Sequence, residues 1–197
     1  MPFGQRGFSL LEVMVVVALT GIIAAVAVPM LGNELGFLRL SGDARSASNA
    51  MALAKLDAAA KFSQVRVYVD LGGRSHHLET KDKTSTICCW TAEGGSTYLS
   101  TNVTFSYGVV STPPPNTQAT IGQAPACKSN TGTDIAGTAC IIFNSRGIPV
   151  DSNGNPIAID ALYLTDGSAV YAITLSATGM ARNWRTQPLA TPSWVLQ

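Results

Sequence analysis

The hydrophobic pattern of this chain changes period along its length. Residues 8–31 are apolar almost throughout, and no charged residue occurs between Val13 and Asn33. A helix crosses the roughly 30 Å core of a bilayer in about 20 residues, so this segment is long enough to span a membrane. Residues 32–63 then repeat apolar positions in steps of three and four, which predicts an amphipathic helix with one buried face. The members of that face are Leu40, Ala44, Ala47, Met51, Ala54, Ala58 and Phe62.

Pro29 lies between these two halves of the helical pattern. Proline has no N–H to donate and its ring crowds the preceding turn, so it bends a helix. The pattern resumes beyond it and continues to about Ser63. The sequence therefore predicts one long helix with an apolar half at 8–31, a bend at Pro29 and an amphipathic half at 32–63.

The period becomes two after residue 63, which is typical of half-buried β-strands. Strong turn signals at Asn153-Gly154, Asp166-Gly167 and Thr178-Gly179 predict hairpins in the C-terminal part. The expected fold class is α+β, with the long helix packed on the antiparallel sheets of one head at residues 64–197. The predicted strands are 65–71, 76–80, 85–91, 103–110, 139–143, 148–150, 157–164, 169–176 and 181–185.

Residues 111–138 carry no clear period and are rich in Pro, Gly, Asn and Thr. This composition predicts a long, irregular surface loop within the head, not a linker between domains.

The four cysteines are Cys88, Cys89, Cys127 and Cys140. Outside the cytoplasm they form two disulfides most simply, with three possible connectivities. Adjacent cysteines rarely bridge each other, and in a strand Cys88 and Cys89 would face opposite ways. Each of them is therefore expected to reach either Cys127 or Cys140. No metal site is expected, because no C-x-x-C is present and the neighbouring histidines lack ligand spacing.

Composition narrows the function classes. The formal net charge is +1 and only 13% of residues are charged. A nearly neutral chain gives no global electrostatic reason to bind nucleic acid. Abundant small residues, Ser and Thr suit an exported, β-rich domain better than a cytosolic enzyme.

Glu12 is a carboxylate near the start of the apolar segment. At bilayer depth such a group costs about 3 kcal/mol, so it is expected to have a partner. A secretory signal would explain the basic leader and the apolar run. It fits poorly, because the run is longer than usual and the small-residue match Ala25-Val26-Ala27 lies inside it.

The segment Gly7–Val13, GFSLLEV, resembles the class III leader of type IV pilins and pseudopilins. The resemblance implies that a prepilin peptidase removes residues 1–7 by cutting after Gly7 and methylates the new N-terminus at Phe8. It also implies that Glu12 pairs with the N-terminal amine of a neighbouring subunit. The expected partners are this peptidase and methyltransferase, the inner membrane, and other major and minor pilins or pseudopilins. The N-terminus would face the cytoplasm and the head the periplasm, until the subunit enters a filament.

The C-terminal part is similar to the corresponding region of the GspH/FimT family. The similar segments are IIFNSRGIPVDSNGNP, ALYLTDG, VYAITLSATG and ARNWR. The family comprises minor pilins of type IV pili and a minor pseudopilin of type II secretion. The resemblance implies a minor pilin that acts in priming or at the tip of a type IV pilus. A GspH-type pseudopilin is the alternative.

No nucleophile or acid–base constellation is evident, so the chain is expected to be a substrate of processing enzymes and not an enzyme, with no cofactor. His76 and His77 are adjacent and are interpreted as solvated strand or loop residues. Residues 151–155 resemble the start of a calcium loop. However, Pro156 stands where an EF-hand needs glycine and Leu162 where it needs glutamate, so a hairpin turn is predicted.

DNA binding is a second alternative, because some FimT-type pilins bind DNA and carry G-R-x-R near the C-terminus. Here the matching residues are Gly179-Met180-Ala181-Arg182, followed by Arg185, so the first arginine of the motif is missing. Arg182 and Arg185, with Trp184 between them, are candidates to hold phosphate and stack on a base. Arg146 is a candidate third contact. Two or three phosphate contacts bind only weakly at physiological salt.

Overall fold

A computed structural model describes residues 9–84 and 89–197, and within these all side chains except those of residues 28–33. The chain divides into two compact units, Met1–Leu38 and Arg39–Gln197. Helix α1 spans Leu10–Lys61 and includes Pro29. The predicted bend at Pro29 stays a prediction.

The amphipathic half of α1 buries the face that its sequence predicts. Leu40, Ala44, Ala47, Met51, Ala54 and Ala58 are each at most 1% exposed. Full burial of a leucine or methionine side chain contributes about 1.5–3 kcal/mol, so this face is a main source of stability in the second unit.

Phe62 was predicted to belong to this face and does not. Its side chain is 78% exposed, because the helix ends at Lys61 and Phe62 adopts a φ of 50°. The N–H of Ser63 donates to the carbonyl oxygen of Ala58 at 3.2 Å. A left-handed residue of this kind closes a helix and turns the next side chain off its face.

Two antiparallel sheets make up the rest of the second unit. The first contains β1 (Val65–Asp70), β2 (Ser75–Lys81), β3 (Trp90–Tyr98), β4 (Thr138–Phe143) and β5 (Pro149–Val150), in the order β3-β2-β1-β4-β5. The second contains β6 (Ala161–Thr165), β7 (Val170–Leu175), β8 (Ala181–Thr186) and β9 (Val195–Leu196), in chain order. The predicted α+β class is confirmed.

Polar contacts tie α1 to the elements around it. Lys61 pairs with Glu93 on β3. Asp43 accepts hydrogen bonds from the backbone N–H of Ser100 at 2.8 Å and from its hydroxyl at 3.1 Å. These contacts fix the amphipathic half of the helix against the first sheet and the segment that follows it.

The irregular segment after β3 covers one face of the second sheet. A buried cluster of Val110, Ala161, Tyr163, Val170 and Ala172 is extended by Tyr107, Ile121, Trp184 and Trp194. Within the predicted loop 111–138, Ala124 and Cys127 are at most 5% exposed. No named strand lies between Tyr98 and Thr138, and these parts of the segment belong to the core.

The same segment also occupies the outer edge of β6. The side-chain oxygen of Gln123 accepts the Tyr163 N–H at 2.9 Å, and its amide nitrogen donates to the Tyr163 carbonyl oxygen at 2.9 Å. The N–H of Ala124 donates to the carbonyl oxygen of Ala161 at 2.8 Å. One glutamine side chain therefore satisfies backbone groups that an edge strand would otherwise leave unpaired.

Several predicted strands differ from the structure. Residues 103–110 form no strand apart from the single bridge between Thr104 and Thr165. Val110 and Tyr107 instead pack on the buried cluster of the second sheet. The strand predicted at 157–164 begins only at Ala161, and β9 at Val195–Leu196 lies where no strand was predicted. Of the strand predicted at 85–91, residues 85–88 lie outside the described residues, and β3 instead runs through two glycines to Tyr98.

Cys127 and Cys140 form a disulfide with a Cα–Cα distance of 4.9 Å. The expectation that Cys88 and Cys89 each reach one of them is therefore wrong. The reason is a contact between separate segments: the N–H of Cys140 donates to the carbonyl oxygen of Pro125 at 2.7 Å, which brings residues 125–127 beside the start of β4. Cys89 is also disulfide-bonded, and Cys88 lies outside the described residues.

Two glycines and a lysine form a close junction between α1 and two turns. Lys55 Nζ donates to the carbonyl oxygens of Thr178 at 2.9 Å and Gly179 at 3.4 Å. Gly179 has a φ of 71°, and a Cβ there would lie 2.5 Å from the carbonyl oxygen of Gly147. This position therefore excludes a side chain twice, by backbone conformation and by space.

We expect Gly179→Ala to lower the free energy of unfolding by about 2–4 kcal/mol, because backbone strain and overpacking add. Gly167→Ala is the matched control: Gly167 also has a positive φ, of 89°, but no atom lies within 4 Å of its added Cβ. This control should cost only about 1–2 kcal/mol. Denaturant unfolding of both variants measures the difference, and equal costs would contradict the close contact with Gly147.

Candidate functional site

The apolar part of α1 exposes its side chains around the whole helix. Leu10–Ala27 is long and apolar enough to cross a membrane, by length and composition, and none of this window is buried. All its large apolar residues are at least 51% exposed: Leu10, Leu11, Val13, Met14, Val15, Val16, Val17, Leu19, Ile22, Ile23 and Val26. The core helix of a soluble domain would bury at least one face of such a segment. This helix therefore needs an apolar environment that the described chain does not supply.

The polar groups within this segment are satisfied locally. Thr20 Oγ1 donates to the carbonyl oxygens of Val16 at 3.0 Å and Val17 at 2.9 Å. The hydroxyl therefore needs no water, which makes Thr20 compatible with a lipid or protein environment.

Ser9 caps the start of α1. The Glu12 N–H donates to both the backbone oxygen of Ser9 at 3.0 Å and its hydroxyl oxygen at 3.2 Å. Glu12 thus occupies the first helical turn, where the positive end of the helix dipole favours a carboxylate. This cap was not predicted, although serine followed three residues later by glutamate is the sequence signature of a capping box.

Two other predicted residues of this segment lie outside the described part of the chain. They are Gly7, the predicted cleavage position, and Phe8, the predicted site of methylation. Among the described residues, the carboxylate of Glu12 has no protein partner.

The structure places Arg182 and Arg185 on opposite faces of β8. Arg182 is paired in register with Thr174 and Arg185 with Tyr171, and side chains alternate along a strand. Burial raises the pKa of Tyr171, and the positive charges of Arg185 and Arg45 oppose that rise. The two arginines therefore do not converge on one point, and DNA binding through them stays a prediction.

Trp184, the predicted stacking residue, is held within the second sheet. Its indole N–H donates to Thr174 Oγ1 at 3.0 Å, and its ring packs against the buried cluster of that sheet. Arg146 is exposed in the turn that precedes Gly147, where its backbone N–H donates to the Asn144 side chain at 2.9 Å.

His76 and His77 were expected to be solvated strand or loop residues, and for His76 this expectation is wrong. Both lie on β2 and face opposite ways, but His76 is only 3% exposed. Its Nδ1 has no hydrogen-bond partner among the described residues. Burial lowers the pKa of His76, while the charge of Asp43 opposes this shift and that of His77 adds to it. His76 is therefore a neutral core residue near physiological pH.

His77 belongs to a polar network on the other face of the first sheet. Its Nε2 lies 3.1 Å from Glu79 Oε1, and Arg66 Nε donates to Glu79 Oε2 at 2.5 Å. The Arg66 guanidinium also lies 4.2 Å from the centre of the Trp90 ring. Burial lowers the pKa of Arg66 and Glu79 opposes that shift. Alternation along β1 carried no signal of this network, because its members come from three strands.

Residues 151–155 form a turn as predicted, but the predicted hairpin is wrong. β5 before the turn belongs to the first sheet and β6 after it to the second, so only the isolated bridge between Val150 and Pro156 pairs its two ends. Asp151 Oδ1 accepts the backbone N–H of Asn153 at 2.9 Å and of Asn155 at 2.8 Å. These hydrogen bonds, those from Asn155 above all, lower the pKa of Asp151. The carboxylate is thus used to close the turn.

Comparison with known proteins supports the reading of the N-terminus. The family description "Prokaryotic N-terminal methylation motif" matches residues 3–28. This match confirms the resemblance of Gly7–Val13 to a prepilin leader.

Among solved structures, the chain is similar to the minor pseudopilin EpsH from the Type 2 Secretion System of Vibrio cholerae. The two share 12% sequence identity with a TM-score of 0.37, over 81% of this chain and 96% of that one. A similarity of this size supports no conclusion about function. Comparison with curated proteins gives no significant match.

The buried His76 predicts a specific loss of stability in acid. The unfolded chain takes up a proton on this residue near pH 6.5, its ordinary pKa, whereas the folded chain resists protonation there. Stability is therefore fully present above that pH and falls as the pH drops through it. Denaturant unfolding as a function of pH should show a weaker loss for His76→Gln than for the parent protein.

Asp160 contributes a slope of opposite sign, because burial raises its pKa to about 6. It is present in both proteins, so their difference isolates His76. Identical pH profiles would contradict a buried, neutral His76.

Proposed function

We propose that this protein is a minor pilin of a type IV pilus, anchored in the inner membrane and then incorporated into a filament. The observation that carries the proposal is the methylation motif at residues 3–28, followed by the fully exposed apolar helix Leu10–Ala27. A structural subunit of this kind needs no catalytic residues and no cofactor. Its function is to be processed, to bind neighbouring subunits and to remain in the filament.

Processing is the first step of the proposal. A prepilin peptidase removes residues 1–7 by cleaving after Gly7 and methylates the amine of Phe8. Arg6 leaves with the leader, which brings the side-chain charge balance of the mature chain from +1 to zero. What remains at the start of the helix is one cationic amine close to one carboxylate, Glu12.

Glu12 then becomes the contact that guides assembly. Its carboxylate has no protein partner within the described residues, and ionised groups at bilayer depth cost about 3 kcal/mol. The methylated ammonium of Phe8 on a neighbouring subunit offsets that cost, because the attraction between opposite charges is stronger away from water. The pair also sets the register between adjacent helices, since only one axial offset brings the two groups together.

The rest of the apolar helix can exchange one apolar environment for another. Its side chains are exposed on every side, so lipid and neighbouring helices cover it equally well. In the proposed membrane-bound state the N-terminus lies in the cytoplasm and the head in the periplasm. In the filament the same segment forms part of the core.

A GspH-type minor pseudopilin of a type II secretion system uses the same leader, helix and head. The mechanism proposed for Glu12 is common to both machines. DNA binding is not part of the proposal, because Arg182 and Arg185 do not converge.

We expect Glu12→Gln and Glu12→Val to leave cleavage after Gly7 intact but to reduce incorporation into filaments strongly. The reason is that both remove the charge that pairs with the neighbouring Phe8 amine. Mature length on gels reports processing, and the sheared filament fraction reports incorporation. Gly7→Val should instead leave the leader attached.

Glu34→Gln is the matched control, because Glu34 is also an exposed glutamate on α1. It should be incorporated normally. Normal incorporation of Glu12→Val would contradict the proposed pairing. Reduced incorporation of Glu34→Gln would show that the loss of any charge on the helix has this effect.

Deletion of the gene should separate the two machines. We expect loss of twitching motility with normal secretion of exoproteins, because a pilus subunit serves retraction and not export. Complementation with the parent gene is the control. Loss of exoprotein secretion with normal twitching would contradict the type IV pilus and favour the type II secretion system.

A further inference from the structure

A pocket of about 320 Å³ lies in the head, beside the disulfide between Cys127 and Cys140. Its apolar walls include Ile142, Val150 and Ile157. Its polar lining includes Lys128 and three aspartates, Asp134, Asp151 and Asp160. None of these residues takes part in the proposed processing or assembly steps.

Asp160 is the unusual member of this lining. The residue is only 4% exposed, and its carboxylate oxygens open into the pocket. Burial raises its pKa to about 6, and the charge of Asp151 adds to the shift, with no hydrogen bond from the described residues to oppose it. Near neutral pH the group is therefore still mostly ionised. A cationic ligand in the pocket would offset the cost of desolvating this charge.

The other charges leave the pocket negative. Lys128 Nζ lies 2.7 Å from Asp134 Oδ1, and the Asp134 side chain is 62% exposed. The charges of Lys128 and Asp134 therefore neutralise each other at the rim of the pocket. Asp151 and Asp160 keep two uncompensated negative charges, since three carboxylates face one ammonium.

The chemistry of the lining favours an organic cation over a metal ion. Within residues 9–84 and 89–197, no group of three or more His, Cys, Asp or Glu side chains could hold a metal ion. The volume is much larger than one ion, and the apolar walls suit a methylene stem. An ammonium or guanidinium group brings N–H donors, which a carboxylate binds strongly.

We propose that this pocket binds an alkylammonium or alkylguanidinium group, with the cationic head on Asp160 and the stem against Ile142, Val150 and Ile157. Such a group occurs on a lysine or arginine side chain of a neighbouring protein and on a free polyamine. The inference rests on the head alone and is independent of the function of the leader.

The test uses the full-length protein in detergent micelles near neutral pH, at constant ionic strength. n-Butylammonium chloride should raise the Tm saturably, because it binds the folded state only. Sodium and tetramethylammonium chloride should not, since neither donates a hydrogen bond. Titration calorimetry should show that Asp160→Asn weakens n-butylammonium binding at least about tenfold.

Asp57→Asn is the matched control, because this carboxylate lies on α1 outside the pocket, 3.8 Å from Lys61 Nζ. It should bind n-butylammonium as the parent protein does. Equal binding by Asp160→Asn, or an equal response to tetramethylammonium, overturns the proposal. Stabilisation by calcium chloride but not by n-butylammonium also overturns it, in favour of a metal site.

A photo-crosslinking residue at Ser152, an exposed member of the lining, distinguishes the two sources in cells. Crosslinks to another protein that Asp160→Asn abolishes support a basic side chain as the natural occupant. Putrescine or agmatine binding to the purified protein without such crosslinks supports a free amine.

Discussion

The structure depends on one constraint: the first half of α1 presents apolar side chains in all directions. In water, each exposed leucine or isoleucine of that half leaves about 1.5–3 kcal/mol of burial free energy unused. This segment suits an environment without water. It carries no charge from Val13 to Asn33, and the Thr20 hydroxyl donates to the helix backbone. Glu12 is the exception, and it lies in the first turn, where the Ser9 cap and the helix dipole can favour its charge.

The second half of the same helix, in contrast, buries one face. Its buried face, from Leu40 to Ala58, is covered within its own unit, so this half contributes to a head that has a core of its own. The irregular segment after β3 completes that head by covering the second sheet with Val110 and Ile121. Local irregularity there is compatible with burial because side chains such as Gln123 satisfy backbone groups.

Features that depend on local chemistry could be predicted from the sequence. The leader, the buried helical face and the hairpin turns at Asp166-Gly167 and Thr178-Gly179 are each set by residues close together in the chain. The disulfide partner of Cys127 and the irregular path of residues 103–110 depend on which distant segments meet, and no local pattern encodes that. The placement of Arg182 and Arg185 on opposite faces is predictable in part. Their odd spacing predicts opposite faces, but only once β8 is known to be a strand.

The side chain of Gln123 has a consequence for how copies of this protein behave when crowded in a membrane. By imitating a neighbouring strand at Tyr163, it closes the β6 edge to cross-β pairing with another chain. Heads at high local concentration therefore cannot aggregate by strand pairing along that edge. In the proposed filament, contacts between subunits are then left to the helices.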